Sequence, residues 1–229
     1  MAISWGGIVS SIEDEMSDGV LYLCLTSKLF NRQNKKWIGL NPGIGYHGFG
    51  IGAEVFNNPN NQATGEASHA EGMMTGALGR GAHAEGEETY AEGPHSHSEG
   101  YSTVATEQNA HAEGCLTEAS GPHSHAEGYN TIAKGSSAHA EGVNTKAEKD
   151  FSHAEGHTTT ASGEYSHAEG FSTSASGAFS HAEGSATSAS GESSHAEGST
   201  TSASGKYSHA GGYGTNAKGT YQTAIGRYN

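Results

Sequence analysis

A histidine recurs every fourteen residues through most of this chain, and this strict repeat constrains the fold more than any other feature of the sequence. The series begins at His69 and ends at His209, and Glu follows two residues after every member except the last. Residues 165–178 form one representative unit. A unit repeated this often is a structural module that buries its surface against its neighbours. The repeat therefore predicts a solenoid. It argues against an enzyme, because a catalytic site is normally built once and no Gly-x-Ser-x-Gly nucleophile motif accompanies the His and Glu pairs.

The composition supports a solenoid over an ordinary globular core. Only 33% of the 229 residues are hydrophobic and 35 are glycine, which is too little apolar surface for a single large core. A net charge of −14 with low hydrophobicity is also typical of disorder. Disordered chains, however, do not hold His, Ala, Glu and Gly in one register over eleven turns.

Charge and cysteine usage exclude several classes of function. Ten of the 25 acidic residues belong to the repeat, and there are 11 Lys and Arg in all, so a surface that follows nucleic-acid phosphates is not expected. Cys24 and Cys115 lack the spacing of a disulfide framework or a metal knuckle and are interpreted as free thiols.

The first residues, 1–7, lack the basic start and apolar run of a secretory signal, and no segment has the length of a membrane span. We therefore expect synthesis in a bacterial cytoplasm, without a signal peptide and without membrane insertion.

Each repeat contains two short segments of alternating character separated by glycine. In His-Ala-Glu-Gly the alanine points to one side and the charged pair to the other, and in Thr-x-Ala-x-Gly the Thr and Ala share a face. Gly170 and Gly177 are predicted to supply the corners with positive φ. Each unit is thus predicted to be a flattened coil of two strands around a narrow bore, with successive coils about 4.8 Å apart.

The chain is divided into two predicted domains. Residues 1–56 form a small, mainly β attachment or capping domain, with strands at 20–25 and 37–40, a third strand around Ile51 to Val55, and a helix start at 10–13. Residues 57–229 form the repeat domain. Its first coil is degenerate: Ala63 keeps the register, while Phe56 falls, fourteen residues before Ala70, where later coils carry alanine. We expect Phe56 to plug the bore.

The repeat resembles the YadA-like head repeat of trimeric autotransporter adhesins and of phage tail-fibre and tail-spike proteins. The resemblance covers about residues 61–229. It is carried by the two half-turns Ser-x-Ala-x-Gly and Thr-x-Ala-x-Gly, at Ser166, Ala168, Gly170, Thr173, Ala175 and Gly177. It implies a left-handed parallel β-roll in which three identical chains associate side by side.

Two departures from that family favour the phage relatives. This chain places His and Glu where the head repeat usually has apolar residues, and it shows neither the signal peptide nor the membrane barrel of the adhesins. The ending 224–229 resembles the junction to a self-cleaving carboxy-terminal chaperone domain.

The resemblance implies a structural or adhesive segment of a trimeric phage tail fibre or spike, located in a virion or phage-like particle. Such a segment acts as a rigid spacer and receptor-binding head. Its expected partners are two identical chains, a tail or baseplate protein bound through the amino-terminal domain, and a carbohydrate or protein of the host surface. The alternatives are the head of a bacterial surface adhesin and a metal-loaded or ice-binding solenoid. An ice-binding solenoid would need an outward array of threonines, and only Thr158, Thr159 and Thr160 come near such an array.

In the family geometry the His and Glu of the repeat face the threefold axis, where each imidazole can donate to a carboxylate of the next chain. No cofactor is expected. A metal would need an axial ring of imidazoles, for example at His153, His167 and His181. The predicted trimer interface consists of His69, Glu71, His83, Glu85, His97, Glu99, His111, Glu113, His125, Glu127, His139, Glu141, His153, Glu155, His167, Glu169, His181, Glu183, His195, Glu197 and His209.

Aromatic residues flank the His-Ala-Glu-Gly segment in many units. They are interpreted mainly as edge stacking that protects neighbouring coils, with a receptor stripe for sugar or protein as the alternative. The set is Tyr101, Tyr129, Phe151, Tyr165, Phe171, Phe179, Tyr207 and Tyr213.

Overall fold

The computed structural model describes residues 21–23, 28–31, 36–39, 46–47, 53–56 and 60–228. The described residues contain no helix, and from residue 54 onward they form an all-β parallel solenoid of about twelve coils of about fourteen residues each. This architecture is consistent with the β-roll predicted from the repeat. Accordingly, none of the described segments is a helix of the length and apolarity that crossing a membrane requires.

Two sheets run along the solenoid, and its strands are numbered along the whole chain. The repeat strands of the long-strand sheet have five residues, and all but the last begin at the repeated His. The short-strand sheet has two-residue strands that end at the repeated Ala. The five-residue strands are β7 His69–Met73, β9 His83–Glu87, β11 His97–Tyr101, β13 His111–Cys115, β15 His125–Tyr129, β17 His139–Val143, β19 His153–His157, β21 His167–Phe171, β23 His181–Ser185, β25 His195–Ser199, β27 His209–Tyr213 and β29 Thr223–Arg227. The two-residue strands are β6 Gln62–Ala63, β8 Gly76–Ala77, β10 Tyr90–Ala91, β12 Val104–Ala105, β14 Glu118–Ala119, β16 Ile132–Ala133, β18 Lys146–Ala147, β20 Thr160–Ala161, β22 Ser174–Ala175, β24 Ser188–Ala189, β26 Ser202–Ala203 and β28 Asn216–Ala217.

Parallel pairing places each repeat position directly on the same position of the next coil. His167 pairs with His181, Ala168 with Ala182, and so on along both sheets. The stack of about twelve coils, with the ordinary strand spacing of about 4.8 Å, is therefore a rod roughly 55 Å long.

The bore of the rod is lined by small side chains. Among the described residues, every buried hydrophobic residue except Val55 is an alanine, and the buried polar residues are Ser and Thr apart from Asn61. Burying an alanine stabilises much less than the ~1.5–3 kcal/mol gained from a Leu or Val. The core thus fixes the shape of the coil but contributes little hydrophobic stabilisation.

Both repeated glycines pack closely against the next coil, but the prediction of positive φ at both was wrong for one. Gly170 has a φ of 104°, as expected, but Gly177 does not have a positive φ. Positive φ instead falls on Ser172 and Phe179, each two residues after a glycine. Gly177 is needed for close approach, because a Cβ there would lie 2.0 Å from the carbonyl oxygen of Gly191 in the next coil.

Three short antiparallel strands, β1 Leu21–Leu23, β2 Lys28–Asn31 and β3 Lys36–Gly39, form a separate sheet. The first and last overlap the strands predicted at 20–25 and 37–40. Strand β2 was missed because its two apolar residues lie between polar ones and give no clear period. The predicted helix start at 10–13 lies outside the described residues.

Two further strands connect this region to the solenoid. Strands β4 Tyr46–His47 and β5 Glu54–Phe56 are antiparallel to each other, and β5 pairs in parallel with β7 at the end of the long-strand sheet. Strand β5 overlaps the predicted third strand around Ile51 to Val55.

The register at this end differs from the prediction for Phe56. Val55, not Phe56, pairs with Ala70, and Phe56 pairs with Glu71. The offset between β5 and β7 is fifteen residues, one more than the repeat, so counting back by fourteen chose the wrong residue. Val55 is buried, and a residue larger than alanine thus occupies the bore position at this end. Ala63 keeps the predicted register with Ala77.

In one coil, Ser98 occupies the bore position that alanine holds in the other repeats, and its hydroxyl pairs with the buried hydroxyl of Thr103. Ser98 and Thr103 lie 2.7 Å apart through their hydroxyl oxygens, whereas the equivalent hydroxyl of Thr173, opposite Ala168, has no hydrogen-bond partner. We expect Ser98→Ala to destabilise the fold by about 1 kcal/mol, because Thr103 loses its shorter hydrogen bond and keeps only the 3.3 Å bond to the carbonyl oxygen of Glu99.

The reverse substitution, Ala168→Ser, should be neutral or stabilising by up to about 1 kcal/mol. Denaturant unfolding of both variants measures these changes. The matched control is Ala168→Ser in a Thr173→Val background, where any gain should vanish. A clear loss of stability in Ala168→Ser alone would contradict the pairing explanation.

Candidate functional site

The outward face of the long-strand sheet carries the most regular array of titratable groups in the described chain. Alternation along each strand turns the alanine into the bore and the His and Glu out of it, and both of these side chains are half-buried. Successive imidazoles stack with centroids 4.7–4.9 Å apart, and from His83 to His209 their planes lie within 20° of parallel. We call this array the His/Glu ladder. It contains every residue of the predicted trimer interface.

The histidines contact different glutamates in the two halves of the ladder. From His69 to His139, each Nε2 lies 3.3–3.8 Å from the Glu of its own coil. From His167 to His209, each Nε2 lies 3.2–3.5 Å from the Glu of the preceding coil. These contacts lie within one chain. The predicted donation to a Glu of a neighbouring chain stays a prediction.

Most of these contacts are too long or too poorly aligned to count as hydrogen bonds. Within the described chain, Nε2 is buried and has no hydrogen-bond partner in eight consecutive rungs of the ladder. A buried polar atom without a partner carries a free-energy cost. The eight residues are His83, His97, His111, His125, His139, His153, His167 and His181.

Burial sets the protonation of the histidines in the middle of the ladder. Loss of hydration lowers the pKa of His97, His125, His153 and His167 below the ordinary value, and the charge of stacked neighbouring histidines lowers it further. These imidazoles are therefore neutral at pH 7, as expected for stacked like groups.

The pKa values of the ladder carboxylates are shifted in both directions. A hydrogen bond with Glu141 raises the pKa of Glu127 to about 6 and that of Glu155 to about 7. The same bonds lower the pKa of Glu141. Burial raises the pKa of Glu169, but the hydrogen bonds with Glu155 and Glu183 outweigh it and the pKa is lowered. Neighbouring carboxylates 4.8 Å apart thus share protons, because like charges at this spacing repel.

The ladder also brings together groups that could hold a metal ion. In His111, Glu113 and His125, for example, three ligand atoms lie within 4.8 Å of one another, and the pattern repeats in later coils. Imidazole and carboxylate are ligands for Zn²⁺ and similar divalent ions. The sequence-predicted trio His153, His167 and His181 consists of stacked rungs of one chain, 4.7–4.8 Å apart by ring centroids.

The flanking aromatic residues lie in two rows rather than one. One row precedes the five-residue strand by two residues, and the other occupies the last position of that strand. The first row holds Phe151, Tyr165, Phe179 and Tyr207, and the second holds Tyr101, Tyr129, Phe171 and Tyr213.

The stacked rings of the first row cover each other's faces. Phe151, Tyr165 and Phe179 are parallel within 6°, with centroids 4.9 and 5.0 Å apart. The middle ring is therefore covered on both faces and presents its edge to solvent. This geometry favours stacking that protects the coils over a continuous receptor stripe.

The repeated threonines do not form an outward array. Thr159 and its equivalents are buried in the bore, while Thr158 has a positive φ at a corner. The outward position of the short-strand sheet varies from coil to coil, as Val104, Glu118 and Lys146 illustrate.

Sequence reasoning did not single out Ser193 or the ion pair between Glu192 and Lys206 beside it. The signal was available, because Ser193 interrupts an otherwise aromatic series with a period of fourteen residues.

No protein-family model matches this chain, and none of the curated proteins matches it. The resemblance to the YadA-like head repeat therefore rests on the residues of the repeat itself.

Proposed function

We propose that the chain is a structural and adhesive segment of a homotrimeric phage tail fibre or spike, or of a phage-derived particle. In this proposal three left-handed β-rolls associate side by side and form a rigid rod. The observation that carries the proposal is the His/Glu ladder, a half-buried outward face that repeats the same two titratable residues in successive coils.

The small core is the first reason for proposing association. A bore lined by alanine, serine and threonine stabilises each coil weakly. Burying an outer surface of the solenoid against another chain would therefore add much of its stability. The long-strand sheet offers such a surface because it is regular and carries the same residues in every coil. Closed threefold symmetry brings identical surfaces together without leaving an open edge.

The ladder supplies the second reason. Because Nε2 of these histidines is covered within its own chain, the proposed donor is the other ring nitrogen, Nδ1. A neutral imidazole that donates from Nδ1 to a carboxylate of the next chain would pair both groups and specify the axial register. A fully paired network of this kind contributes specificity even where its net stabilisation is modest.

A straight stack of about twelve coils suits the role of a rigid spacer. Each coil is hydrogen-bonded to the next through both sheets and through the corners, so bending would break many bonds at once. We propose that the amino-terminal region attaches this rod to a tail or baseplate protein and that the rod presents a host-binding surface.

Immunogold electron microscopy tests the location. Antibodies raised against the repeat domain should label thin fibres on tail-like particles released after prophage induction, with no label after preadsorption with the purified protein. Labelling confined to the surface of uninduced cells would contradict the phage assignment and support the bacterial adhesin instead.

A further inference from the structure

In the six coils from Phe151 to Tyr221, the same corner carries an aromatic residue in five coils and a serine in one. We call this series the corner row and define it as Phe151, Tyr165, Phe179, Ser193, Tyr207 and Tyr221. Every member has a φ of 53–57° and so takes the same backbone conformation.

Backbone hydrogen bonds hold the members of the corner row in register. The amide of Phe179 donates to the carbonyl of Glu164, that of Ser193 to Ala178, and that of Tyr207 to Glu192, at 2.8–2.9 Å. Ser193 therefore stands on the row exactly one coil above Phe179 and one coil below Tyr207, where a ring would continue the stack.

The missing ring leaves a gap whose width is set by the coil spacing. Rings in adjacent coils of the row have centroids 4.9–5.0 Å apart. Phe179 and Tyr207 are two coils apart, which places their rings about 10 Å from each other. Tyr165 fills the equivalent space between Phe151 and Phe179, so the gap above Ser193 has room for one six-membered ring.

Exposure shows that one wall of the gap is open. Phe179 is 59% exposed, whereas Tyr165, which has a ring on each face, is 46% exposed. The side of Phe179 that faces Ser193 lacks the covering ring that Tyr165 has on both sides.

Polar groups lie at the opposite wall. Lys206 forms an ion pair of 2.9 Å with Glu192 of the preceding coil, and its ammonium lies 4.9 Å from the centroid of Tyr207. Because Glu192 is adjacent to Ser193, both charged groups lie beside the gap. Tyr207 is 42% exposed, no more than Tyr165, and the ammonium of Lys206 lies over its ring. A ligand in the gap would therefore meet the open ring face of Phe179 on one side, and the ammonium of Lys206, the carboxylate of Glu192 and the hydroxyl of Ser193 on the other.

We propose that this gap binds a pyranose ring of a glycan. A pyranose has apolar C–H faces that stack on aromatic rings, and its hydroxyl groups lie around the edge where Glu192 and Lys206 can bond to them. A plain aromatic ring would match the face of Phe179 but would bring no hydroxyl groups to Glu192, Lys206 or Ser193. This inference deepens the adhesive part of the proposed function and rests on it for its biological sense.

Saturation-transfer NMR on the full chain tests the site, with the methyl glycosides of glucose, galactose, mannose and N-acetylglucosamine as probes and phenol as the aromatic comparison. At least one glycoside should bind with a dissociation constant of about 1 mM, an ordinary value for so small a ligand. Phe179→Ala, which removes one wall, should weaken that binding roughly three- to tenfold. Lys206→Met should weaken glycoside binding more than phenol binding.

The decisive variant is Ser193→Tyr, which fills the gap with a ring like that of Tyr165 and should abolish binding. Its matched control is Ser185→Tyr, which adds the same ring at an exposed strand end beside Phe171 and leaves the gap open. Thermal unfolding shows whether both variants fold. Failure of every glycoside to bind the wild type, unchanged binding to folded Ser193→Tyr, or phenol binding more than about tenfold tighter than any glycoside would overturn the proposal.

Failure of the sugar site can be distinguished from failure of the proposed trimeric fibre. A trimer that binds no glycoside would overturn the sugar site and leave the spacer role intact. A monomer that binds a glycoside at this gap would support the site and contradict the trimeric fibre.

Discussion

Gly177→Ala should destabilise the protein by about 3 kcal/mol or more per chain, because the new Cβ would meet backbone that cannot move away. It would lie 2.0 Å from the carbonyl oxygen of Gly191 and 2.6 Å from the carbonyl carbon. The coils on both sides are fixed by parallel pairing, so the clash can be relieved only by separating them. Thermal unfolding followed by circular dichroism measures the loss.

The control for this substitution is Ser176→Ala, one residue earlier, where the side chain is exposed. It should leave the melting temperature within about 2 °C of the wild type, since exposed substitutions rarely change stability by more than ~0.5 kcal/mol. If Gly177→Ala unfolded at the wild-type temperature, coil contact at this glycine would not be as close as described.

Acid should destabilise the protein between pH 6.5 and pH 5, through the histidines in the middle of the ladder. The pKa of His97, His125, His153 and His167 is lowered in the folded state. The unfolded chain therefore binds more protons than the folded one as the pH falls through 6.5, and stability is lost in that range.

The carboxylates act in both directions. Glu127 and Glu155, with pKa values raised to about 6 and about 7, bind protons in the folded state first and stabilise it as the pH falls toward 4.5. Glu141 and Glu169, with a lowered pKa, cause a loss below the ordinary value of 4.5. The raised and lowered carboxylate pKa values arise from the same interactions between neighbouring carboxyl groups and offset one another. We therefore expect the histidines to decide the net change below pH 6.5, which is a loss.

A melting-temperature series from pH 8 to 4, in the presence of a chelator, checks this balance. We expect a maximum near pH 7 and a fall of roughly 5 °C between pH 6.5 and 5, a modest value because solvent screens these half-exposed groups. Replacing the four histidines by Gln should flatten that fall. Replacing His95, an exposed histidine outside the ladder, should not.

A melting temperature that stays constant or rises as the pH falls to 5 would contradict neutral histidines in the folded state. A large drop at pH 8 on adding the chelator would show instead that a metal ion is bound, with groups such as His111, Glu113 and His125 as its ligands.

Strict repetition made the solenoid predictable from sequence. Alternation placed Ala168 in the bore and His167 and Glu169 outside it, and the fourteen-residue period gave the parallel register. These features follow from local geometry repeated many times, so one correct unit determines all the others.

The errors arose where one residue or one contact differs from the repeat. A single extra residue between β5 and β7 moved Val55 into the bore position that the period assigns to Phe56. Gly177 was assigned a positive φ because glycine commonly has one, but its role is close contact between coils, which depends on the neighbouring coil. Proton sharing between Glu141 and Glu155 also depends on side-chain placement across coils, which a sequence pattern does not contain.

The mass of the folded protein in solution, measured by sedimentation equilibrium at micromolar concentration, tests the proposed trimer most directly. Three chains of 23.5 kDa give a particle of about 70 kDa. Glu169→Arg, within the ladder, should dissociate it, whereas the matched Glu118→Arg on the short-strand sheet should not. A folded wild-type monomer of 23.5 kDa, or an equal effect of both substitutions, would contradict the ladder as a trimer interface.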